Sequence, residues 1–171
     1  AEYGATECLA CTGGYIAAEN GTSYSTACDT GSVASADKTV CEICPPGTSA
    51  EFGATNCTVC DDGYVAAENG TAFCTACETG SVASADKTAC EICPSGTSAE
   101  FGATNCTVCD DGYVSSAEGT AYCDICGAGY YSIANRTDCF ACPQNTFSIG
   151  GTSSCTDCAF GEVSDPGSIS C

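Results

Sequence analysis

The chain has 171 residues, of which 20 are cysteine and none is histidine, tryptophan or methionine. Its 22 acidic residues outnumber 3 basic ones, and the net charge of −19 disfavours binding to nucleic acid or to an anionic membrane surface. This cysteine content is typical of a disulfide scaffold made in an oxidising compartment, and without a long apolar run we expect neither a conventional hydrophobic core nor insertion into a membrane.

The sequence repeats a unit of 49 residues. Residues 28–76 are followed by a near-identical copy at 77–125, residues 2–27 match the second half of the unit, and residues 126–171 are divergent. Such self-similarity indicates a repeat architecture in which each unit packs on its neighbours. The cysteines divide the unit further into steps of about 16 residues, so residues 1–171 are predicted to form one continuous array of about ten steps.

Each 49-residue unit contains three C-x-x-C pairs. A four-cysteine zinc site or a crossed disulfide pattern would consume two pairs at a time, and equivalent cysteines of successive units would then play different roles. A ladder from the second Cys of one pair to the first Cys of the next pair has no such conflict. Metal and cofactor sites are therefore not expected, and the predicted bridges are Cys28–Cys41, Cys44–Cys57, Cys60–Cys74, Cys77–Cys90, Cys93–Cys106, Cys109–Cys123, Cys126–Cys139, Cys142–Cys155 and Cys158–Cys171. Since Ser25 replaces the partner of Cys11, we expect Cys8 and Cys11 to pair with each other or with another chain.

Two turn positions recur with the cysteines. Three residues after the second Cys of each pair stands Gly, with Asn145 as the exception, and four residues before each first Cys stands Gly, Asp or Asn. Gly and Asn adopt a positive φ most readily, and all three residue types favour turns. The segments between the turns are too short for helices, so each step is predicted to be a two-turn loop with one or two short strands.

The predicted fold is therefore small, disulfide-rich and all-β, an elongated rod of stacked steps. About one aromatic residue falls in each step, and we expect its ring to cover a disulfide or a neighbouring step. These aromatic residues include Tyr15, Phe52, Tyr64, Phe73, Phe101, Tyr113 and Phe147.

Five sequences match the N-glycosylation acceptor Asn-x-Ser/Thr. Asn20, Asn69 and Asn135 lie at or beside the second turn of a step, where we expect an exposed and glycosylated side chain. Asn56 and Asn105 directly precede bridge cysteines, and we expect these two to be modified partly or not at all.

The acidic residues include two adjacent pairs, Asp61-Asp62 and Asp110-Asp111. A calcium loop needs carboxylates at alternating positions, so these pairs are weak candidates for a cation site, and the negative charge is better interpreted as an aid to solubility. The chain has no His, and no carboxylate pair lies in a sequence context that would desolvate it. No catalytic residue and no enzymatic activity are predicted.

Three loops carry a resemblance to a known family. Residues 44–60, 93–109 and 142–158 read CPPGTSAEFGATNCTVC, CPSGTSAEFGATNCTVC and CPQNTFSIGGTSSCTDC. They resemble the ephrin-receptor-like cysteine-rich repeat, which shares the C-P-x-G-T opening, the glycine in mid-loop and the closing C-x-x-C. Tandem arrays of this kind are similar to surface coat antigens of ciliates and other protists, and more distantly to growth-factor and tumour-necrosis-factor receptor ectodomains. The resemblance implies an extended, disulfide-laddered scaffold outside the cell, often at its surface.

Two functions are compatible with these patterns. The first is a secreted structural protein of an extracellular coat or filament, with copies of itself and covalent glycans as its partners. Because the chain begins and stops partway through complementary steps, we expect head-to-tail assembly. The alternative is a receptor-like or adhesive binding module at the cell surface, although a recognition surface would favour repeat-specific loops with Arg and Trp. Since the chain begins at Ala1, a processed secretory protein is expected.

Overall fold

A computed structural model describes residues 13–17 and 25–171. Cys8, Cys11 and Asn20 lie outside the described residues. Within them every regular element is a β-strand of two or three residues. The strands are β1 Tyr15–Ala17, β2 Ser25–Ala27, β3 Ser32–Ala34, β4 Cys41–Ile43, β5 Thr48–Ser49, β6 Thr58–Val59, β7 Tyr64–Val65, β8 Thr75–Ala76, β9 Ser81–Ala83, β10 Cys90–Ile92, β11 Thr97–Ser98, β12 Thr107–Val108, β13 Tyr113–Val114, β14 Asp124–Ile125, β15 Tyr130–Ser132, β16 Cys139–Ala141, β17 Thr146–Phe147 and β18 Thr156–Asp157. This part of the chain holds no helix of the length and apolarity needed to cross a membrane.

The strands pair two by two in chain order as antiparallel hairpins, β1 with β2, β3 with β4 and so on to β17 with β18. In β3 and β4, for example, Ser32 lies opposite Ile43 and Ala34 lies opposite Cys41. Every sheet has only two strands. An isolated hairpin of this size is at best marginally stable in water, so the stability of the fold must come from the bridges and from contacts between steps.

The predicted disulfide ladder is confirmed. Each of the nine bridges closes a loop between cysteines 13 or 14 residues apart, with Cα–Cα distances of 5.5 to 5.7 Å. No cysteine among the described residues is free. A step is hereafter the segment between two bridged cysteines, and it is named by them.

The second cysteine of each pair forms the core. From Cys28 to Cys142 these residues are 0 to 5% exposed. The residue six positions later is small and is buried in most steps, as in Ala50, Ala66, Ser115 and Ser132. Apart from Val114, no larger aliphatic or aromatic side chain in the described residues is buried. The core is therefore built from sulfur and small side chains, as expected for a chain without long apolar runs.

The chain divides into two compact units. One runs to Cys77 and includes Ala83–Cys90, and the other consists of Glu78–Val82 with Glu91–Cys171. In the first unit the amide of Gly31 donates a hydrogen bond of 2.7 Å to the carbonyl of Ala50 in the next step. Because the repeat recurs, the second unit makes the same bond.

In that second unit Gly80 donates to the carbonyl of Ala99 at 2.7 Å. A return bond runs in the opposite direction, from the amide of Gly119 to the carbonyl of Cys93 at 2.9 Å. Consecutive steps are thus held by backbone groups, which do not depend on the identity of the side chains.

The predicted positive φ after each cysteine pair is confirmed from Gly31 to Gly161, with values of 67° to 90°. Asn145, the one residue other than glycine at this position, also has a positive φ, 67°. Before Cys28 the expectation is wrong, since Gly13 has φ 60° and Gly14 does not enter this region. Gly14 is required for a different reason, because a Cβ there would overlap the backbone of Gly53 and Ala54.

These glycines also lie where two parts of the chain meet. A Cβ on Gly31 would overlap the carbonyl of Gly70, two steps further along, and Gly80 meets Gly119 in the same way. A Cβ on Gly161, by contrast, would have nothing within 4 Å. Most of these positions therefore need glycine for close packing as well as for the turn.

The second turn of a step has a different backbone conformation where Asp stands in place of Gly. In those steps the positive φ falls on the following residue, with 59° at Lys38 and 61° at Lys87. The Asp86 carboxylate accepts hydrogen bonds from the Thr88 amide and from the buried Ser84 hydroxyl, at 3.2 and 2.7 Å. These bonds lower the pKa of Asp86, with Ser84 as the largest cause. The aspartate thus stabilises the turn through its side chain, while its neighbour supplies the left-handed backbone.

Candidate functional site

The basic residues of the chain occupy one recurring place. Lys38, Lys87 and Arg136 are its only Lys or Arg, and all three have a positive φ in the second turn of a step. Each reaches a residue 25 positions earlier. Lys38 donates a hydrogen bond of 2.8 Å to the carbonyl of Gly13, which precedes the step Cys28–Cys41 that contains Lys38. The cations therefore connect neighbouring steps and do not form a basic surface.

The other two cations, Lys87 and Arg136, form ion pairs with one aspartate of each adjacent acidic pair. Lys87 Nζ lies 2.5 Å from Asp62 Oδ1, and Arg136 lies 2.5 Å from Asp111 Oδ1. The Lys87 side chain is only 18% exposed, so its stem packs on the protein, while the Asp62 side chain is 74% exposed. The hydrogen bond from Lys87, and then its charge, lowers the pKa of Asp62.

The same reasoning applies to the second acidic pair, where Arg136 lowers the pKa of Asp111. One carboxylate of each pair is therefore already occupied by a cation of the protein itself. Among residues 13–17 and 25–171, no group of three or more His, Cys, Asp or Glu side chains is placed to hold a metal ion.

Four of the five glycosylation acceptors lie in the described residues, and all four are exposed. Asn69 and Asn135 lie beside turns, as expected. Asn56 and Asn105 are exposed as well, so the adjacent bridge cysteines do not bury these side chains. The side-chain amide of Asn56 donates one hydrogen bond of 3.3 Å, to the Thr55 hydroxyl.

Asn56 lines an open groove of about 770 Å³. Three apolar side chains in its wall remain largely in solvent, with exposed fractions of 64% for Phe52, 65% for Val59 and 63% for Phe73. Tyr64 adds a half-exposed ring. The groove lies between two steps of the same compact unit, and the disulfide Cys60–Cys74 forms part of its wall.

The second copy of the repeat forms the equivalent groove, with a volume of about 650 Å³. Phe101, Val108 and Tyr122 are 66%, 58% and 67% exposed, and Asn105 lines the groove as Asn56 lines the first. The prediction that each ring covers a disulfide or a neighbouring step is wrong for Phe52, Phe73 and Phe101. The small core has no space for a benzyl side chain, so these rings remain outside.

Comparison with models of known protein families and with curated proteins finds no match. The chain is a tandem cysteine-rich repeat, and each step is closed by one disulfide.

Sequence reasoning missed the grooves. A signal was present, since Phe52 and Asn56 recur with the same spacing as Phe101 and Asn105. That spacing alone does not tell whether a ring points inward or outward, because in segments this short there is no hydrophobic periodicity to assign a face.

Proposed function

We propose that the chain is a secreted structural protein of an extracellular coat or filament, that it assembles with copies of itself head to tail, and that it carries N-linked glycans. Many disulfides and exposed acceptor asparagines support the secretory route. We also propose that it acts as a scaffold of the ephrin-receptor-like and protist surface-antigen type and has no catalytic role.

The observation that carries the proposal is the recurrence of identical backbone contacts from step to step. The bond from Gly31 to Ala50 is repeated by Gly80 and Ala99 at the same distance. A contact that uses only recurring backbone groups suits propagation, because each added copy presents the same donors and acceptors as the last.

The step Cys158–Cys171 supplies apolar surface for such a contact. Phe160 is fully exposed, and Val163 and Ile169 are 75% and 60% exposed. Apolar side chains clustered in one short step are costly in water and favour burial against a partner. A second copy of the chain is the partner that a structural coat requires.

The proposal is tested with the wild-type protein and two variants, all secreted from a eukaryotic cell. Electron microscopy and sedimentation velocity should show fibres or large oligomers, and Phe160→Ser should convert them to monomers. Phe73→Ser changes a ring that is 63% exposed in a groove, and it serves as the matched control that should still assemble. A native protein that stays monomeric at high concentration would contradict the structural role.

The grooves favour a second candidate function, a receptor-like or adhesive binding module. Concave sites with several aromatic side chains and a few polar groups are the usual form of a binding site. If this function holds, Phe52→Ser with Phe101→Ser should abolish the attachment of protein-coated beads to cells, while Phe160→Ser should leave attachment unchanged. Loss of attachment only with Phe160→Ser would instead support assembly.

A further inference from the structure

We propose that the grooves hold the protein's own N-linked sugars, attached at Asn56 and Asn105. The inference rests on the proposed secretory route, and it reverses the expectation that these two acceptors are poorly modified. Its starting point is that each groove contains an acceptor asparagine, exposed aromatic rings and an acidic rim at once.

The acceptor geometry is open in both copies. Asn56 and Thr58, the two residues that an acceptor sequence requires, are exposed, and Cys57 between them is only half-buried. Asn105 and Thr107 have the same exposure. The side-chain amide of each asparagine makes one long hydrogen bond of 3.3 Å to the preceding threonine, so little has to be broken before the nitrogen reacts.

The modification itself is a balanced transfer. The Nδ2 atom of Asn56 forms a bond to the anomeric carbon of a sugar that is carried on a polyprenyl diphosphate. The bond between that carbon and the diphosphate oxygen breaks, the polyprenyl diphosphate leaves, and Nδ2 loses one proton. The sugar donor is supplied by the secretory pathway, and no oxidant or reductant is needed.

The walls of the groove suit a sugar. The ring of Phe52 and the ring of Phe73 present apolar faces to the same space as Asn56. The C–H groups on one face of a pyranose pack on the electron-rich face of an aromatic ring, and its hydroxyls need polar partners at the edge. Thr55 and Thr58 supply hydroxyl groups in the lining.

Acidic side chains at the edge of each groove disfavour negatively charged ligands. Glu51 and Asp61 line the first groove, and Glu100 and Asp110 line the second. An acidic peptide, a nucleic acid or another copy of this chain, with its net charge of −19, would be repelled there. The uncharged core sugars of a glycan are not repelled. Since they are tethered to the groove, their effective concentration is high and no affinity for free sugar is required.

The step Cys142–Cys155 provides an internal comparison. Ser154 stands at the place of Asn105, and Gly150 stands at the place of Phe101. Ser154 is exposed and Thr156 follows it with the acceptor spacing. The substitution Ser154→Asn would therefore create an acceptor in an equivalent loop that lacks the ring.

The first test is site occupancy in protein secreted from a eukaryotic cell. After reduction and alkylation, cleavage at glutamate separates Asn56 in residues 52–68 from Asn69 in residues 69–78, and it isolates Asn105 in residues 101–118. We expect glycan on Asn56 and Asn105 in most molecules. If only Asn69 and Asn135 carry sugar, the inference is overturned and the secretory route stands. If none of the four carries sugar, the inference is overturned and the acceptor sequences no longer support the proposed secretory route.

The second test asks whether the sugar covers the rings. Enzymatic removal of the glycans should increase the fluorescence of a bound apolar dye several-fold, and Asn56→Gln with Asn105→Gln should give the same increase. Asn69→Gln with Asn135→Gln removes as many glycans and should leave dye binding unchanged. Removal of the glycan that Ser154→Asn introduces should also leave dye binding unchanged, because that loop has no ring at the place of Phe101 for the sugar to cover. Occupied grooves that bind no more dye after deglycosylation than these controls would overturn the placement of the sugar.

Discussion

Gly80 lies directly against the carbonyl of Gly119, two steps further along the chain, with no space for a Cβ atom between them. Gly161 occupies the equivalent place in its own step and has a similar φ, 90° against 81°, but a Cβ there would have open space around it. Substitution of these two glycines therefore distinguishes the energetic cost of placing a side chain on a left-handed backbone from the cost of overlap with a neighbouring step.

Gly80→Ala should consequently be far more damaging than Gly161→Ala. Both place alanine at a positive φ, which costs about 1–2 kcal/mol. Only Gly80→Ala also forces two steps apart, and overpacking of this kind costs about 1–3 kcal/mol more. Thermal unfolding of the oxidised protein measures the difference. Gly127→Ala, at a position with neither a positive φ nor a neighbour within 4 Å, serves as control. Equal losses for Gly80→Ala and Gly161→Ala would show that the contact carries no energy.

Asn145 leads to a second prediction. Its φ of 67° shows that asparagine tolerates this turn, whereas a Cβ on Gly96 would overlap the carbonyl of Asn135. We expect Gly96→Asn to lower the melting temperature by several degrees, and Asn145→Gly to change the free energy of unfolding by less than about 1 kcal/mol. If Gly96→Asn instead costs as little stability as Asn145→Gly, the backbone φ alone determines which residue is tolerated in this turn, and the contact with Asn135 is not important.

The ion pair of Lys87 and Asp62 predicts a pH dependence. Because the folded pKa of Asp62 is lowered, its contribution to stability is complete above the unfolded pKa of about 3.9 and is lost as the pH falls through the folded pKa. Asp62→Asn should therefore melt earlier than the unmodified protein at pH 7, and the difference should vanish as the pH falls towards 2.

The neighbouring Asp61 provides the control for that experiment. Its side chain makes no ion pair within the described part of the chain, so Asp61→Asn should leave the melting temperature nearly unchanged at both pH values. Carbon-13 titration of the Asp62 carboxyl supplies an independent measurement. Its pKa should rise in Lys87→Met, and an unchanged pKa would refute the pairing in solution.

The buried cysteines predict the response to reduction. Since the core consists mainly of sulfur and small side chains, little apolar burial remains once the bridges are broken. Each loop is closed between cysteines 13 or 14 positions apart and contributes about 3 kcal/mol in the chain-entropy model. Reduction should therefore abolish the near-ultraviolet circular dichroism completely, whereas the same buffer without thiol should not.

Peptide mapping without reduction tests the connectivity behind that prediction. It should recover Cys60 linked to Cys74 and Cys109 linked to Cys123. A crossed pair such as Cys41 with Cys57 would be incompatible with the ladder.

Much of the local structure follows from the sequence because the repeat encodes it many times. Three cysteine pairs in a 49-residue unit disfavour schemes that use two pairs at a time, and the predicted ladder is the arrangement that leaves the fewest cysteines without a partner. The turns follow from residue type, since Gly and Asn are the residues that reach a positive φ at least cost. Asn145 was predicted on that ground and has φ 67°.

The contacts between steps were decided only by the tertiary structure. The pairing of Lys87 with Asp62 and the close approach of Gly31 to Gly70 join residues in different steps, and no spacing within one step contains them. The outward rings of Phe52 and Phe101 depend on the size of a core that holds only sulfur and small side chains. A repeating sequence determines what each step is, because turns and bridges are local. How one step lies on the next depends on which backbone and side-chain surfaces fit together in space.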